Sequence, residues 1–352
     1  MAKSTGSLKD RLISNSTVTG TSGLDESKFF NEKDNVATPV LALNLALSSQ
    51  VNKGMTSGIL MLAGESKTFK TMFGLVCMAA YLKKYPDAIA LFYDNEFGSP
   101  PDYVHNFGID MARVVHVPIK NIEELKFDIV KQYENLTRGD KVFTFIDSVG
   151  NLASKKEVDD ALEGKSVADM TRAKQLKSLF RMITPYLTMN DIPLVAVNHT
   201  YKSQGMYPTD VVGGGTGGMY SSNTVIIVKK RQVKEGKEFA GNYFDLFVEK
   251  SRYVKEKSRI PIKVIFGKPL SAYTGLFDLA EEMGYLVKPK QGWYKGIHED
   301  DTVSNHRRAD IEFSGEFWKS LFKNSDFEDA LHNAYRLESL EMEEDTEDEE
   351  VS

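Results

Sequence analysis

Short apolar runs alternate with amphipathic stretches from Val36 to about Gly267. GILMLAG (58–64), IALFYD (89–94), KVFTFID (141–147) and IPLVAVNH (192–199) have strand length and almost no in/out alternation, which predicts strands covered on both faces. Between them, TMFGLVCMAAYLKKY and NIEELKFDIVKQYENL predict helices, the second with Ile122, Leu125, Ile129 and Leu136 on one face. A third helix is predicted from Ser166, capped by its side chain with Asp169 reciprocating. Its apolar stripe runs Val167, Met170, Ala173, Leu176, Phe180, Ile183. This rhythm predicts an α/β core with right-handed crossovers and a mainly parallel sheet. NTVIIVKKRQV, YFDLFVEKSR and IPIKVIFG follow with short links and are predicted to extend the sheet antiparallel.

The flanks read differently. Residues 1–35 are polar apart from Phe29 and Phe30, and residues 269–337 form a smaller predicted α/β lobe around LFDLAEEMGYL and GWYKG. Trp293 and Tyr294 belong to the core of that lobe or to a partner surface. Residues 338–352 are an acidic tail expected to be disordered. No internal repeat is visible.

Composition narrows the class. A chain of 352 residues, 41% hydrophobic, can bury a full core. No run approaches the ~18 apolar residues of a membrane span, and the N-terminus lacks the apolar centre of a signal peptide, so no membrane partner is expected. The single cysteine, Cys77, excludes an internal disulfide or a CxxC metal site and suits a reducing cytoplasm. The net charge of −6 is dominated by the last twelve residues, EMEEDTEDEEVS, with eight acids and no base. Residues 229–263, by contrast, hold eleven Lys or Arg against five Asp or Glu. A basic middle beside an acidic tail suits a polyanion binder screened by its own tail, and equally a solvated face with a free end.

Candidate chemistry begins at GESKTFKT (64–71), an apolar strand ending in glycine, a polar loop, then Lys-Thr opening a helix. Gly64, Lys70 and Thr71 fit the phosphate-loop pattern G-x-x-x-x-G-K-[ST], but Phe69 stands where its second glycine belongs. With a negative φ at Phe69 the substitution costs little; with a positive φ it costs about 1–2 kcal/mol. In this pattern the backbone of Gly64, Glu65, Ser66, Lys67, Thr68 and Phe69 meets phosphate oxygens. Lys70 reaches the terminal phosphates and Thr71 ligates Mg²⁺. The companions strengthen it. Asp147 ends its strand as a metal-holding carboxylate does, Glu96 lies just beyond the IALFYD strand where it can orient or deprotonate water, and His199 ends a third strand. All these strand ends fall on one sheet edge, where open α/β sheets bind ligands.

These motifs, together with LALNLALSSQVNKGMTSG, FYDNEFG, FIDSVGNLASKKEVDDAL, VNHT, VGGGTGGMYSS, VEKSRYVKEKSR and GWY, resemble the RecA-type recombinases from Pro39 to Tyr294, especially their UvsX-like branch in T-even phages. In that branch an aromatic precedes the lysine, as Phe69 does here, whereas His199 stands where bacterial members have glutamine. The resemblance implies a RecA-like fold, ATP and Mg²⁺ as ligands, Glu96 as catalytic carboxylate and Tyr103 stacked on adenine. It implies that Lys250 and Arg252 reach a neighbouring subunit's ATP, as a basic pair does in the family; salt bridging on the surface is the plain alternative. Residues 150–166 and 200–218 correspond to two DNA-binding loops, with Lys155, Lys156, Arg172 and Lys202 supplying charge, Gly213, Gly214 and Gly215 close backbone approach, and Met206 and Tyr207 base contacts. Phe29 and Phe30 would dock on the next protomer or pack on their own core.

The function implied is ATP-dependent pairing and strand exchange in recombination, repair and replication, by a helical homo-oligomer on single-stranded DNA acting on double-stranded DNA. A recombination mediator and a single-stranded DNA-binding protein are implied partners, and the cytoplasm, the host's if phage-encoded, the location. A hexameric helicase of the same fold, or a non-catalytic DNA-binding regulator with a degenerate loop, are the alternatives.

Overall fold

The computed structural model describes residues 7–165, 171–235, 238–300 and 305–338. Helices α1 (Leu8–Ser14) and α2 (Lys28–Asn31) lead into a small strand β1 (Asn35–Val36), then α3 (Leu41–Ser48) and β2 (Met55–Thr56), which pairs with β1. The core follows as β3 (Gly58–Gly64), α4 (Lys70–Lys84), β4 (Ile89–Asp94), α5 (Pro101–His105), β5 (Val114–Pro118), α6 (Ile122–Glu134) and β6 (Val142–Asp147). It continues with α7 (Lys155–Leu162), α8 (Thr171–Met189), β7 (Pro193–Lys202), β8 (Asp210–Val212), α9 (Thr216–Ser221), β9 (Thr224–Glu235), β10 (Glu238–Ser251) and β11 (Arg259–Ile265).

The main sheet runs β11-β10-β9-β3-β7-β6-β4-β5, with β8 hanging off β7. Every residue of β3 is buried, as its unbroken apolar run requires. Alternate residues feed two cores. Leu60 and Leu62 join Val195, Val197 and Phe145 beneath α4, while Ile59, Met61 and Ala63 join Leu194, Leu176, Phe180 and Ile183 beneath α8. Contact on the α4 side is close, since a Cβ on Gly74 would lie 2.3 Å from Phe145 Cε2. Ile122, Leu125 and Ile129 of α6 are buried in the second core, and Leu136 packs on its margin.

Three elements differ from expectation. β9 joins β3 in parallel, Leu60 opposite Thr224 through Ala63 opposite Ile227, because α9 carries the chain back across the sheet first. Of the three strands expected to be antiparallel, β10 and β11 are. β5 pairs with β4 although its sequence has no buried run. The segment expected to be a loop after β6, residues 150–166, contains α7, capped by the Ser154 hydroxyl, which accepts the Glu157 N–H. The expected cap of the following helix at Ser166 and Asp169, its first stripe residues Val167 and Met170, and the acidic end of the tail lie outside the described residues.

Beyond β11, α10 (Leu276–Glu282), the hairpin β12 (Leu286–Lys290) and β13 (Trp293–Gly296), and helices α11 (Arg308–Phe313), α12 (Gly315–Asn324) and α13 (Phe327–Tyr335) complete the chain. Their core, with Trp318, Phe277 and Tyr294, is continuous with the α4 face of the sheet. Tyr294 is buried edge-on against Phe277, whereas Trp293 faces outward under the Arg307 guanidinium, 4.0 Å from its ring centre. No helix among the described residues is long and apolar enough to cross a membrane.

Candidate nucleotide site and adjoining loops

The loop between β3 and α4 is built from unusual backbone. Gly64 crosses β9 so closely that a Cβ would lie 2.6 Å from Val228 O. Phe69 occupies the N-cap of α4 at φ 60°, the left-handed region, so the glycine-like conformation survives without the glycine. The half-buried ring compensates by packing 4.7 Å from Phe244. Relief of the left-handed strain is worth about 1–2 kcal/mol, and a half-buried ring with an aromatic partner about 2–3 kcal/mol. Phe69→Gly is therefore expected to lower stability by about 1 kcal/mol in urea denaturation; an increase would show that strain outweighs packing.

Lys70 is buried at the base of this loop. Its Nζ donates to Glu65 O at 2.7 Å and to Thr68 Oγ1 at 3.4 Å. Burial lowers its pKa, against the opposing charges of Glu96 and Asp147. Thr71 Oγ1 donates to Asp147 Oδ2 at 2.9 Å, while Asp147 Oδ1 is buried without a partner. Burial is also what raises the Asp147 carboxyl to about 6. An orphaned carboxylate oxygen beside a threonine hydroxyl fits a hard divalent cation such as Mg²⁺. Among the described residues no three His, Cys, Asp or Glu side chains cluster as a self-sufficient metal site. That suits a cation completed by substrate oxygens and water. Residues 66–72, Glu96, Tyr103, Val197 and His199 line one cleft of about 290 Å³. Tyr103 stands edge-on to Phe107 at 5.4 Å.

Strand register aligns the tips. Gly64 lies opposite His199, and Asp94 opposite Asp147. Asp94, itself buried, accepts the N–H groups of Glu96 and Phe97 and so folds the turn that aims Glu96 at the cleft. Glu96 Oε1 is bonded by Ser148 Oγ and by Asn151 Nδ2 at 2.8 Å, with His199 Nε2 3.3 Å away. The His199 contact is the main reason its pKa is lowered, with burial opposing and Ser148 assisting. The sequence assigned no role to Ser148 or Asn151. Ser148 follows the Asp147 motif directly, whereas Asn151 reaches Glu96 only because its loop turns back over β7.

The two loops are more ordered than their composition implies. Lys155 and Lys156 lie exposed at the start of α7, Lys156 paired with Asp160 at 2.6 Å. Arg172 is not a free cation: it donates to the carbonyls of Val149, Gly150 and Leu152, clamping the root of the first loop. In the second, β7 and β8 form a hairpin, Thr200 opposite Val212 and Lys202 opposite Asp210, with Lys202 ion-paired to Asp210 and 3.7 Å from Glu65. Met206 and Tyr207 sit at its tip, 86% and 85% exposed. Gly213 and Gly214 allow close packing, since a Cβ would lie 3.1 Å from His199 O and 2.5 Å from Leu176 Cδ1 respectively; Gly215, at φ 76°, turns the chain into α9.

Lys250 and Arg252 lie away from this cleft. Lys250 stands opposite Val225, and Val225 opposite Met61, three residues short of the β3 tip and two strands across. That is about 10 Å down and about 10 Å sideways, with β10 running further from the edge. Lys250 Nζ donates to the carbonyls of Met219, Tyr220 and Ser222, closing the C-terminal end of α9. Arg252 is exposed. Phe29 packs on its own chain beside Gly20, whereas Phe30 is 69% exposed.

Residues 21–271 match the RecA N-terminal domain, and residues 273–331 match the C-terminal domain of the bacteriophage T4 recombination and repair protein. The chain is 49% identical to the recombination and repair protein of Enterobacteria phage T4 over 343 residues, 96% of this chain and 88% of that protein. It is 26% identical to the RecA protein of Nostoc sp. over 80% of this chain and 76% of that protein. It is 27% identical to that of a Synechococcus strain over 78% and 70%. With its strand order, its phosphate loop and these matches along nearly its whole length, the chain belongs to the RecA family of recombinases, in the branch of the phage T4 recombination and repair protein.

Proposed function

We propose that this chain is a DNA-stimulated ATPase that assembles into helical filaments on single-stranded DNA and exchanges that strand with a homologous duplex. The observation that carries this reading is the separation of two sets of cations. Lys70 lines the cleft with Thr71, which bonds Asp147, and with Glu96, while Lys250 and Arg252 lie two strands away and below the sheet edge. The second pair is remote from its own cleft, which supports its serving a neighbour's. ATP then sits at a seam between protomers, and hydrolysis depends on assembly.

Within the cleft, loop N–H groups and Lys70 take the phosphates, Tyr103 flanks the base, and Thr71 and Asp147 hold Mg²⁺. When bound, Mg²⁺ neutralises charge on the phosphate oxygens. Glu96 orients the attacking water and His199 faces the terminal phosphate. Two cations from the neighbour stabilise charge on the transferring group. Exposed Leu8, Leu12, Val18, Leu24 and Phe30 support docking of residues 1–35 on the next protomer. The tip residues Met206 and Tyr207, with Lys155 and Lys156, support DNA contact at the two loops. Base pairing, not the protein, tests homology, because exchanging one strand for an identical one is nearly isoenergetic.

The test is ATP turnover measured with and without single-stranded DNA, alongside negative-stain imaging. Stimulated turnover and helical filaments are expected. Closed rings point to a helicase, and DNA binding without turnover to a regulator.

A further inference from the structure

Glu96 is held by the loop expected to contact DNA. Its three side-chain partners among the described residues, Ser148 Oγ, Asn151 Nδ2 and His199 Nε2, converge on Oε1. That oxygen's lone pairs are therefore engaged, and the three bonds dictate where the carboxylate's other oxygen, the one left to take a proton from water, points. Two of the partners are fixed by their places in the sheet, Ser148 directly after β6 with its N–H held by Asn95 Oδ1, and His199 in β7. Asn151 is different. It is exposed, lies in the loop after β6, and reaches Glu96 only through the position of that loop.

The loop's root is held by contacts that a polyanion can disturb. Gly150 lies against His199, where a Cβ would come 2.4 Å from Cδ2 and 2.9 Å from the backbone nitrogen. Arg172 grips the carbonyls on either side of Asn151, those of Gly150 and Leu152, and of Val149 as well. A phosphate competing for that guanidinium loosens the carbonyls it holds, because the cation pairs more strongly with an anionic oxygen than with a neutral carbonyl. Just beyond, α7 presents Lys155 and Lys156.

We propose that Asn151 is a positioning residue through which this loop keeps Glu96 idle until DNA phosphates engage Arg172 and α7 and draw Asn151 off the carboxylate. The proposal rests on the reading of Glu96 as the residue that activates water. It makes DNA stimulation a release of Glu96, added to whatever filament assembly supplies.

Asn151→Ala and Asn151→Asp test it by steady-state ATP turnover, without DNA and with saturating oligo(dT). Both variants are expected to raise kcat without DNA about tenfold, equivalent to about 1.4 kcal/mol. The KM for ATP and the DNA-saturated kcat should stay near the parental values, so the stimulation ratio collapses. Asn151→Asp, whose carboxylate repels Glu96, should release it at least as far. An unchanged DNA-free rate in both variants overturns the proposal. So does an equal fall in both rates, which marks a merely structural role. Glu96→Gln separates the two layers: if it keeps turnover, the reading of Glu96 itself fails, whatever the Asn151 variants do.

Discussion

A mixture of Lys70→Ala and Arg252→Ala protein is expected to recover ATP turnover that neither variant supports alone. Each variant by itself lacks one cation at every interface. Losing a donor aimed at developing charge costs about 10²–10³-fold in kcat, and losing a cation supplied by a neighbour about 10³–10⁵-fold. In mixed filaments some interfaces join the intact loop of an Arg252→Ala protomer to the intact Arg252 of a Lys70→Ala neighbour. Those composite sites contain every group. Arg252 suits this experiment because it is exposed and remote from its own cleft, so its loss should change protomer stability by less than about 0.5 kcal/mol. Lys250 does not suit it, since its ammonium group also holds three carbonyls at the end of α9. If the variants co-assemble on single-stranded DNA and turnover stays absent, the seam is not where ATP is hydrolysed.

Asp147→Asn is expected to abolish turnover while stabilising the metal-free, nucleotide-free protein. The Asp147 carboxyl is raised from 3.8 to about 6, chiefly by burial, so the folded state holds a proton that the unfolded chain has already released. Stability therefore falls as pH rises between those two values and stays reduced above them. Two units correspond to about 3 kcal/mol. Asparagine keeps the shape and can accept the Thr71 hydroxyl but carries no charge, although its amide must find a partner. A gain of about 1–2 kcal/mol at pH 8 is expected in thermal denaturation, shrinking towards pH 5, where the parental carboxyl is largely protonated. Equal or lower stability at pH 8 would mean that the buried carboxylate is not strained when empty-handed.

The sequence revealed most where burial is uniform. β3, β6 and β7 are covered on both faces, so their apolar runs could be read directly, and the polar residues closing them identified the sheet edge. β5 was invisible because its residues are only partly covered at the sheet margin. α7 was hidden because KKEVDDAL buries nothing, leaving the Ser154 cap as its one local signal. The parallel entry of β9 depends on α9, whose two glycines argue against a helix in isolation. Gly213 and Gly214 looked made for phosphate approach, yet their immediate role is room for His199 and Leu176. Asn151 was beyond reach for a simpler reason: its contact with Glu96 spans 55 positions and no local pattern encodes it.

The β7–β8 hairpin holds itself together. Its stem pairs Thr200 with Val212 and Lys202 with Asp210, and Ser203 N–H closes on Thr209 O at 2.8 Å, leaving Met206 and Tyr207 with no duty to the interior. The fold itself therefore places no constraint on the apex. A grafted apex of different sequence should fold on this stalk without redesign of anything beneath it.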